Sequence, residues 1–171
     1  HGVELLAKLL NEGQVEEKKL NKMLKFLAEN LHYPEKKLTS ADNYADKLYL
    51  LLTRSNRRRI LSWYVEQYLV AANRAMEELN FDEARQIWKR YQKIRTSDFP
   101  SIPETTPVLA YIDLKEADYL TQIRKFDLAK QRYERARKKL TRKKSFDLVT
   151  QPGFKNLAKQ VASRLRRGLQ K

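Results

Sequence analysis

A scarcity of chain-breaking residues is the feature that most constrains the fold of this sequence. Only four glycines and five prolines occur in 171 residues, about half the share in an average protein, where Gly makes up roughly 7% and Pro roughly 5%. Stretches of 15 or more residues consist instead of good helix formers such as Leu, Ala, Lys, Glu, Arg and Gln. Because strands need turn residues at short spacing, the sequence predicts an all-α fold.

Apolar residues repeat at helical spacing along most of the chain. Leu20, Leu24, Leu27 and Leu31 form one such stripe, which ends at Tyr33-Pro34 because the residue before proline leaves the α region. Ser40 or Asp42 can cap the next helix, which reaches Leu52. The spacing predicts about eight helices in all. Besides the one that reaches Leu52, they lie at 3–11, 14–31, 57–79, 81–95, 107–123, 126–143 and 154–169.

Two features refine this assignment. Pro100 and Pro103 lie in a polar run, so we expect a linker at 96–106. In the helix 57–79, the stripe predicted to face inward consists of Leu61, Tyr64, Tyr68, Ala72, Ala75, Met76 and Leu79. Eight helices joined by short turns indicate stacked antiparallel pairs, as an α-solenoid or a helical bundle.

An internal repeat supports stacking. The segment 80–91 recurs at 125–136, with Phe, Asp, Ala and Gln in register and an aromatic residue four positions after the Ala. The small residues Ala84 and Ala129 let antiparallel helices approach closely, and the aromatics Trp88 and Tyr133 fill the gap to the next pair.

Over residues 65–141 this pattern resembles the tetratricopeptide repeat. Ala84, Trp88, Tyr133 and Ala136 stand where the second helix of that family has small or aromatic residues. Tyr68, Ala72 and Ala117 match its first helix more loosely, with Tyr for Trp and Ala for Gly. The sequence departs from the family in its spacing of 45 residues from Ala84 to Ala129, against about 34, and in having Tyr91 in place of a small residue.

The resemblance implies a concave groove that grips a segment of a partner. One version of the family holds a C-terminal carboxylate with Lys and Asn side chains on the first helices. Asn73 stands at one of these positions, but Leu69 occupies the neighbouring Lys position, so this clamp is not expected here.

Positive charge is concentrated at the C-terminal end. The formal net charge is +15, and the stretch 124–171 holds 17 basic residues against three acidic ones. Repulsion among so many like charges disfavours a compact fold unless an anion compensates it. Because the phosphates of nucleic acids are the most common such anions, nucleic acid is the leading partner. The candidate binding residues form three clusters: Arg57, Arg58 and Arg59; Arg135, Lys138, Lys139, Arg142, Lys143 and Lys144; and Lys155, Lys159, Arg166 and Arg167.

Each cluster also has a structural interpretation. The helix macrodipole accounts for two or three cations near the end of the helix 126–143, but not for six. Arg57–Arg59 would lie in a first turn, where the dipole disfavours cations, if Ser55 or Asn56 caps a new helix; alternatively the helix runs unbroken from 43. The last helix also suits a membrane surface, but its apolar face can cap the helical stack, so no membrane partner is expected.

Residues for catalysis are scarce. There is no cysteine, and neither a phosphate-binding glycine loop, a nucleophile elbow nor a paired-histidine zinc motif occurs. Of the two histidines, we interpret His1 as tag-derived and His32 as a helix-end residue. We therefore expect no enzyme activity, no cofactor and no metal.

These features predict a near-neutral N-terminal part at 1–55, helical repeats at 56–144 and a basic capping helix at 145–171. The preferred function is a non-catalytic module that binds RNA or DNA, or a ribonucleoprotein, through phosphates without reading bases. The alternative is a scaffold that grips an acidic peptide or assembles with copies of itself. The lack of cysteine favours an intracellular protein, cytoplasmic or nuclear. Because the chain begins at His1 rather than Met, we expect a piece of a longer protein or a tagged chain.

Overall fold

The structure, a computed structural model, describes residues 2–30, 44–99 and 106–140, together with Ser163. These residues form seven α-helices and no β-strand, which confirms the predicted all-α class. The helices are α1 (Gly2–Asn11), α2 (Glu17–Asn30), α3 (Tyr44–Leu51), α4 (Arg54–Glu77), α5 (Phe81–Asp98), α6 (Thr106–Gln122) and α7 (Phe126–Leu140). Of the predicted eighth helix, 154–169, only Ser163 is described, and it is helical. Among the described helices, none is both long and apolar enough to cross a membrane.

The chain divides into two compact units, His1–Ala71 and Ala72–Lys171, and the boundary falls within α4. The sequence-based division into 1–55, 56–144 and 145–171 follows charge and repeat content rather than compactness. It remains a prediction.

Two helix ends differ from the predicted ones. α5 continues to Asp98, so the first residues of the predicted linker are helical. Its C-cap is Phe99, the residue before Pro100, which leaves the α region. α4 ends at Glu77 rather than at Leu79. Leu79 is therefore half exposed in a turn and does not face inward as predicted. The linker residues 100–105 lie outside the described residues.

Asn56 ties the start of α4 to α1 in the first unit. Its side-chain amide donates to the carbonyl of Leu10 at 2.9 Å and to Oδ1 of Asn11 at 3.2 Å. Asn11 in turn accepts from the backbone N–H of Thr53 at 3.0 Å and donates to the carbonyl of Leu51 at 2.9 Å. α3 and α4 are thus separate helices, and since α4 begins at Arg54, Asn56 anchors α1 instead of capping α4.

A buried carboxylate organises the aromatic core of the first unit. Asp46 accepts hydrogen bonds from the hydroxyls of Tyr64 and Tyr68, both at 2.6 Å. The ring of Tyr49 stacks on that of Tyr64 with 4.2 Å between centroids. Burial, with the nearby charge of Asp46, raises the pKa of Tyr64, so the phenol stays protonated and remains a donor. Tyr64 and Tyr68 are both fully buried, as the stripe predicts.

The same backbone turn occurs twice, 45 residues apart. The turn leads directly into each of the two repeated segments, 80–91 and 125–136. Each copy contains one residue in the left-handed region, Leu79 at φ 59° and Arg124 at φ 61°. In both copies the hydrogen bonds are those of a Schellman helix end. The bonds run from Leu79 N–H to Met76 O and from Asn80 N–H to Ala75 O, and 45 residues later from Arg124 N–H to Thr121 O and from Lys125 N–H to Leu120 O.

Replacing Arg124 by Gly should stabilise the chain. A non-glycine residue in the left-handed region costs roughly 1–2 kcal/mol, part of which is offset by the greater freedom of Gly in the unfolded chain. We expect Arg124→Gly to raise the free energy of unfolding by about 1 kcal/mol in urea denaturation. Arg124→Ala, which removes the same charge but keeps the strain, is the control. Equal stability of the two variants would contradict this explanation.

Small residues line the contact between α6 and α7. Ala110 and Leu114 of α6 pack with Ala136 of α7 in a buried cluster, flanked by the partly buried rings of Tyr111 and Tyr133. The other small residues of the repeat pattern are buried as well, namely Ala72, Ala84, Ala117 and Ala129. This close packing fixes which side chains of α7 point away from α6.

Candidate functional site

Two arginines of the cluster 57–59 bond within the first unit. Arg57 donates to the carbonyls of Tyr49 at 2.9 Å and Leu50 at 3.0 Å, and its guanidinium lies 5.3 Å from the centre of the Tyr49 ring. These carbonyls end α3, where a cation is favoured by the helix macrodipole. The positive charge of Arg57, which the dipole of α4 disfavours at the start of that helix, therefore stabilises the carbonyl end of α3.

Arg59 joins α4 to the start of α2. It donates to the carboxylate of Glu17 at 3.0 and 3.2 Å and to the carbonyl of Val15 at 3.1 Å. Arg58, between the two bonded arginines, is exposed. The three neighbours therefore do not form one outward cationic patch.

α7 and the turn before it form the most cationic surface in the described part of the chain. The stretch 124–140 contains eight basic residues and two acidic ones. We call these eight the α7 basic surface: Arg124, Lys125, Lys130, Arg137 and Lys138 are exposed, and Arg132, Arg135 and Lys139 are partly exposed. Of the predicted residues, Arg135, Lys138 and Lys139 belong to it. A helical-wheel count of α7 could also have found Lys130 and Arg132.

The other predicted cations of the C-terminal part lie outside the described residues. These are Arg142, Lys143, Lys144, Lys155, Lys159, Arg166 and Arg167.

A buried carboxylate connects α6 to three cations. Asp113 is fully buried. It accepts from Nη2 of Arg85 at 2.8 Å and from Nη2 of Arg135 at 2.6 Å, and it also pairs with Lys139. One turn further along α6, Glu116 pairs with Arg85 and accepts from Nε of Arg132 at 2.9 Å. We call these six residues the carboxylate cluster: Arg85, Asp113, Glu116, Arg132, Arg135 and Lys139.

The protonation of this cluster follows from its neighbours. Burial raises the pKa of Asp113, but hydrogen bonds from Arg135 and Lys139 and their charges outweigh it, so this pKa lies below its usual value. Burial lowers the pKa of Arg85, while Glu116 and Asp113 raise it, with a net increase. Asp113 and Arg85 are therefore both charged at neutral pH, and an ionic hydrogen bond joins them.

A second feature is a groove between the end of α4 and α6, within the second unit. It has a volume of about 510 Å³, within the range of roughly 300–1,000 Å³ found for ligand pockets. Nζ of Lys115 lies 5.5 Å from the centre of the Tyr111 ring, and the Tyr119 ring lies 6.0 Å from that of Phe81. We call it the α4–α6 groove, and its lining consists of Asn73, Met76, Glu77, Leu79, Phe81, Tyr111, Lys115, Asp118, Tyr119 and Gln122.

Aromatic side chains lie mostly in the cores of the two units. Of the ten tyrosines and tryptophans in the described ranges, six are buried and four are partly buried. None of these ten offers an exposed ring on which a base could stack without rearrangement.

No family model matches this chain, and neither a curated protein nor a solved structure is similar enough to match it.

Proposed function

We propose that this chain is a non-catalytic module whose α7 basic surface binds the phosphate backbone of RNA or DNA. The observation that carries the proposal is the density of cations on one helix, eight basic residues in the 17 residues 124–140. Their two acidic neighbours are Asp127 and Glu134, and Glu134 is already paired with Arg137 at 2.7 Å. Asp113 and Glu116 of α6 pair with Arg132, Arg135 and Lys139. Eight basic residues thus face four carboxylates, and the surface keeps a net positive charge that can attract an external anion.

Phosphate binding offsets the repulsion along such a helix. Like charges spaced this closely disfavour the compact state, and a polyanion removes that cost while it releases condensed counterions. The orientation of these cations is also fixed, because α7 packs against α6 through Ala136 and buries Ala129. The basic residues between 141 and 171 would add to the same attraction.

Sequence-independent binding follows from the kinds of group on this surface. Lys130 and Lys138 present flexible ammonium groups, which contact phosphates as point charges. Among the described residues, the tyrosine and tryptophan rings are at most partly exposed, and the exposed rings are those of Phe26 and Phe126. We therefore expect affinity to come from backbone phosphates and to vary little with base sequence.

The double variant Lys130→Ala/Lys138→Ala tests the proposal. Loss of two phosphate contacts should weaken binding of a single-stranded RNA and of a duplex DNA by about tenfold or more at low salt, evenly across sequences. Fluorescence anisotropy titration measures this change. The matched control is Lys18→Ala/Lys22→Ala, which removes the same charge from exposed positions on α2. Equal losses in both double variants, or no binding by the unmodified chain at 50 mM salt, would contradict the proposal.

The α4–α6 groove supports a second candidate, the gripping of an acidic peptide. Its volume suits an extended segment, and Lys115, whose Nζ lies 5.5 Å from the centre of the Tyr111 ring, supplies a cation. Asn73 and Gln122 add amide groups that can bond a peptide backbone. Lys115 is the one cation among the lining residues, which also include Glu77 and Asp118. Such a complex would therefore rest mainly on apolar contacts, and its affinity would depend only weakly on salt.

A further inference from the structure

Three cations of the α7 basic surface lie on one stripe of the helix. Arg132, Arg135 and Lys139 are separated by three and four residues, so their side chains are neighbours on the same face. From Arg132 to Lys139 the stripe extends about 10 Å along the axis. Lys130 is exposed and lies on the other flank of α7.

Two carboxylates of α6, the buried Asp113 and the partly exposed Glu116, hold two of these guanidinium groups in place. Arg132 is fixed through Nε by Glu116 at 2.9 Å. Arg135 is fixed by Asp113 through Nε at 3.3 Å and Nη2 at 2.6 Å. Both arginine side chains still reach solvent, with 25% and 42% of their surfaces exposed.

Several donors of these two arginines remain available. A guanidinium carries five N–H groups, and the bonds above engage only Nε of Arg132 and one side of Arg135. Within the described ranges, the Nη groups of Arg132 and Nη1 of Arg135 meet no acceptor. These donors lie on two side chains that have already lost much of their rotational freedom.

The cluster also carries more positive than negative charge. Its four cations face two carboxylates, Asp113 and Glu116. Asp113 and Glu116 are each shared between two arginines, and Asp82, which also pairs with Arg85 at 2.9 Å, is exposed. Neither Arg132 nor Arg135 therefore has a carboxylate to itself, which favours an added anion beside them.

We propose that Arg132, Arg135 and Lys139 form a clamp for phosphate groups, in which Asp113 and Glu116 act as positioning residues. The clamp rests on the proposed function as far as its ligand is a nucleic-acid backbone, and the same chemistry would bind free phosphate. Planar guanidinium groups match phosphate oxygens with paired hydrogen bonds, and their prior fixation lowers the entropy lost on binding. This distinguishes the stripe from Lys130, an exposed lysine whose ammonium group carries no planar fork.

A pair of charge-conserving variants tests the clamp. Arg132→Lys keeps the charge but removes the guanidinium fork, whereas Lys22→Arg makes the opposite exchange at an exposed position of α2, outside the proposed binding surface. We expect Arg132→Lys to weaken binding of a single-stranded RNA by about tenfold and Lys22→Arg to leave it within twofold. Circular dichroism checks that both variants keep the helicity of the unmodified chain. Unchanged affinity in Arg132→Lys would overturn the clamp while leaving backbone binding intact.

Inorganic phosphate distinguishes the two sources of the ligand. In nuclear magnetic resonance spectra of the full chain, phosphate should shift the Nε–H signals of Arg132 and Arg135, and the signal missing in Arg132→Lys assigns the first. A shift without any RNA binding would support a clamp for free phosphate and overturn the proposed function. If phosphate shifts neither signal and RNA does not bind, both proposals are overturned.

Discussion

Between 50 and 200 mM monovalent salt, the affinity of this chain for a duplex oligonucleotide should fall by about a thousandfold. Each phosphate neutralised by a cation releases condensed counterions, and about six contacts give a slope near −5 in a plot of log affinity against log salt concentration. The α7 basic surface supplies eight candidate cations for these contacts. Anisotropy titrations at four salt concentrations within this range measure the slope.

The variants used for the proposed function also test the origin of this slope. Lys130→Ala/Lys138→Ala should make it shallower by about two, because two phosphate contacts are lost. Lys18→Ala/Lys22→Ala should leave it unchanged. A decrease of less than tenfold over the same salt range would contradict phosphate binding and favour an acidic peptide in the α4–α6 groove.

Replacing Asp113 by Asn should lower the free energy of unfolding by about 3 kcal/mol, measured by urea denaturation. Asp113 is fully buried among Arg85, Arg135 and Lys139, so its loss leaves cations without their shared counter-ion. The expected effect lies at the lower end of the range for buried ion pairs, because Arg135 and Lys139 still reach solvent. Asp127→Asn, which removes an exposed carboxylate from the first turn of α7, is the matched control and should cost less than about 1 kcal/mol.

The pH dependence of the Asp113 effect has a definite sign. Because the pKa of Asp113 is lowered in the folded chain, its stabilisation is present above the ordinary carboxyl pKa of about 3.9. It is lost as the pH falls through the lowered value. The difference between the unmodified chain and Asp113→Asn should therefore be constant from pH 8 to 5 and shrink below about pH 4. A difference under 1 kcal/mol at pH 7 would show that the cations relax into water without cost.

Local patterns predicted the helices because their signals lie within a few residues of each other. The stripe containing Tyr64, Tyr68 and Ala72 predicted an inward face of α4, and all three residues are fully buried. The end of α4 was less predictable. Leu79 continues the apolar spacing, but the chain turns there through a left-handed residue without the glycine that usually marks such a position.

The carboxylate cluster could not be predicted because it depends on how α5, α6 and α7 pack. Asp113 is 22 residues from Arg135 and 28 from Arg85 in the chain. Sequence spacing within α7 shows Arg132, Arg135 and Lys139 on one face, but it does not show that acidic groups of α6 lie beside them. The contacts of Arg57 and Arg59 could not be predicted for the same reason. Their acceptors lie on other helices, at the end of α3 and the start of α2.

Asp113 lies 45 residues after Tyr68, the same distance that separates the two repeated turns. Both side chains are fully buried and hydrogen-bonded, but with opposite roles: Tyr68 donates its proton to Asp46, whereas Asp113 accepts from arginines. An anionic acceptor at this interior position pairs with Arg135 and Lys139 of α7. The arrangement of these cations at the surface therefore depends on a residue that solvent does not reach.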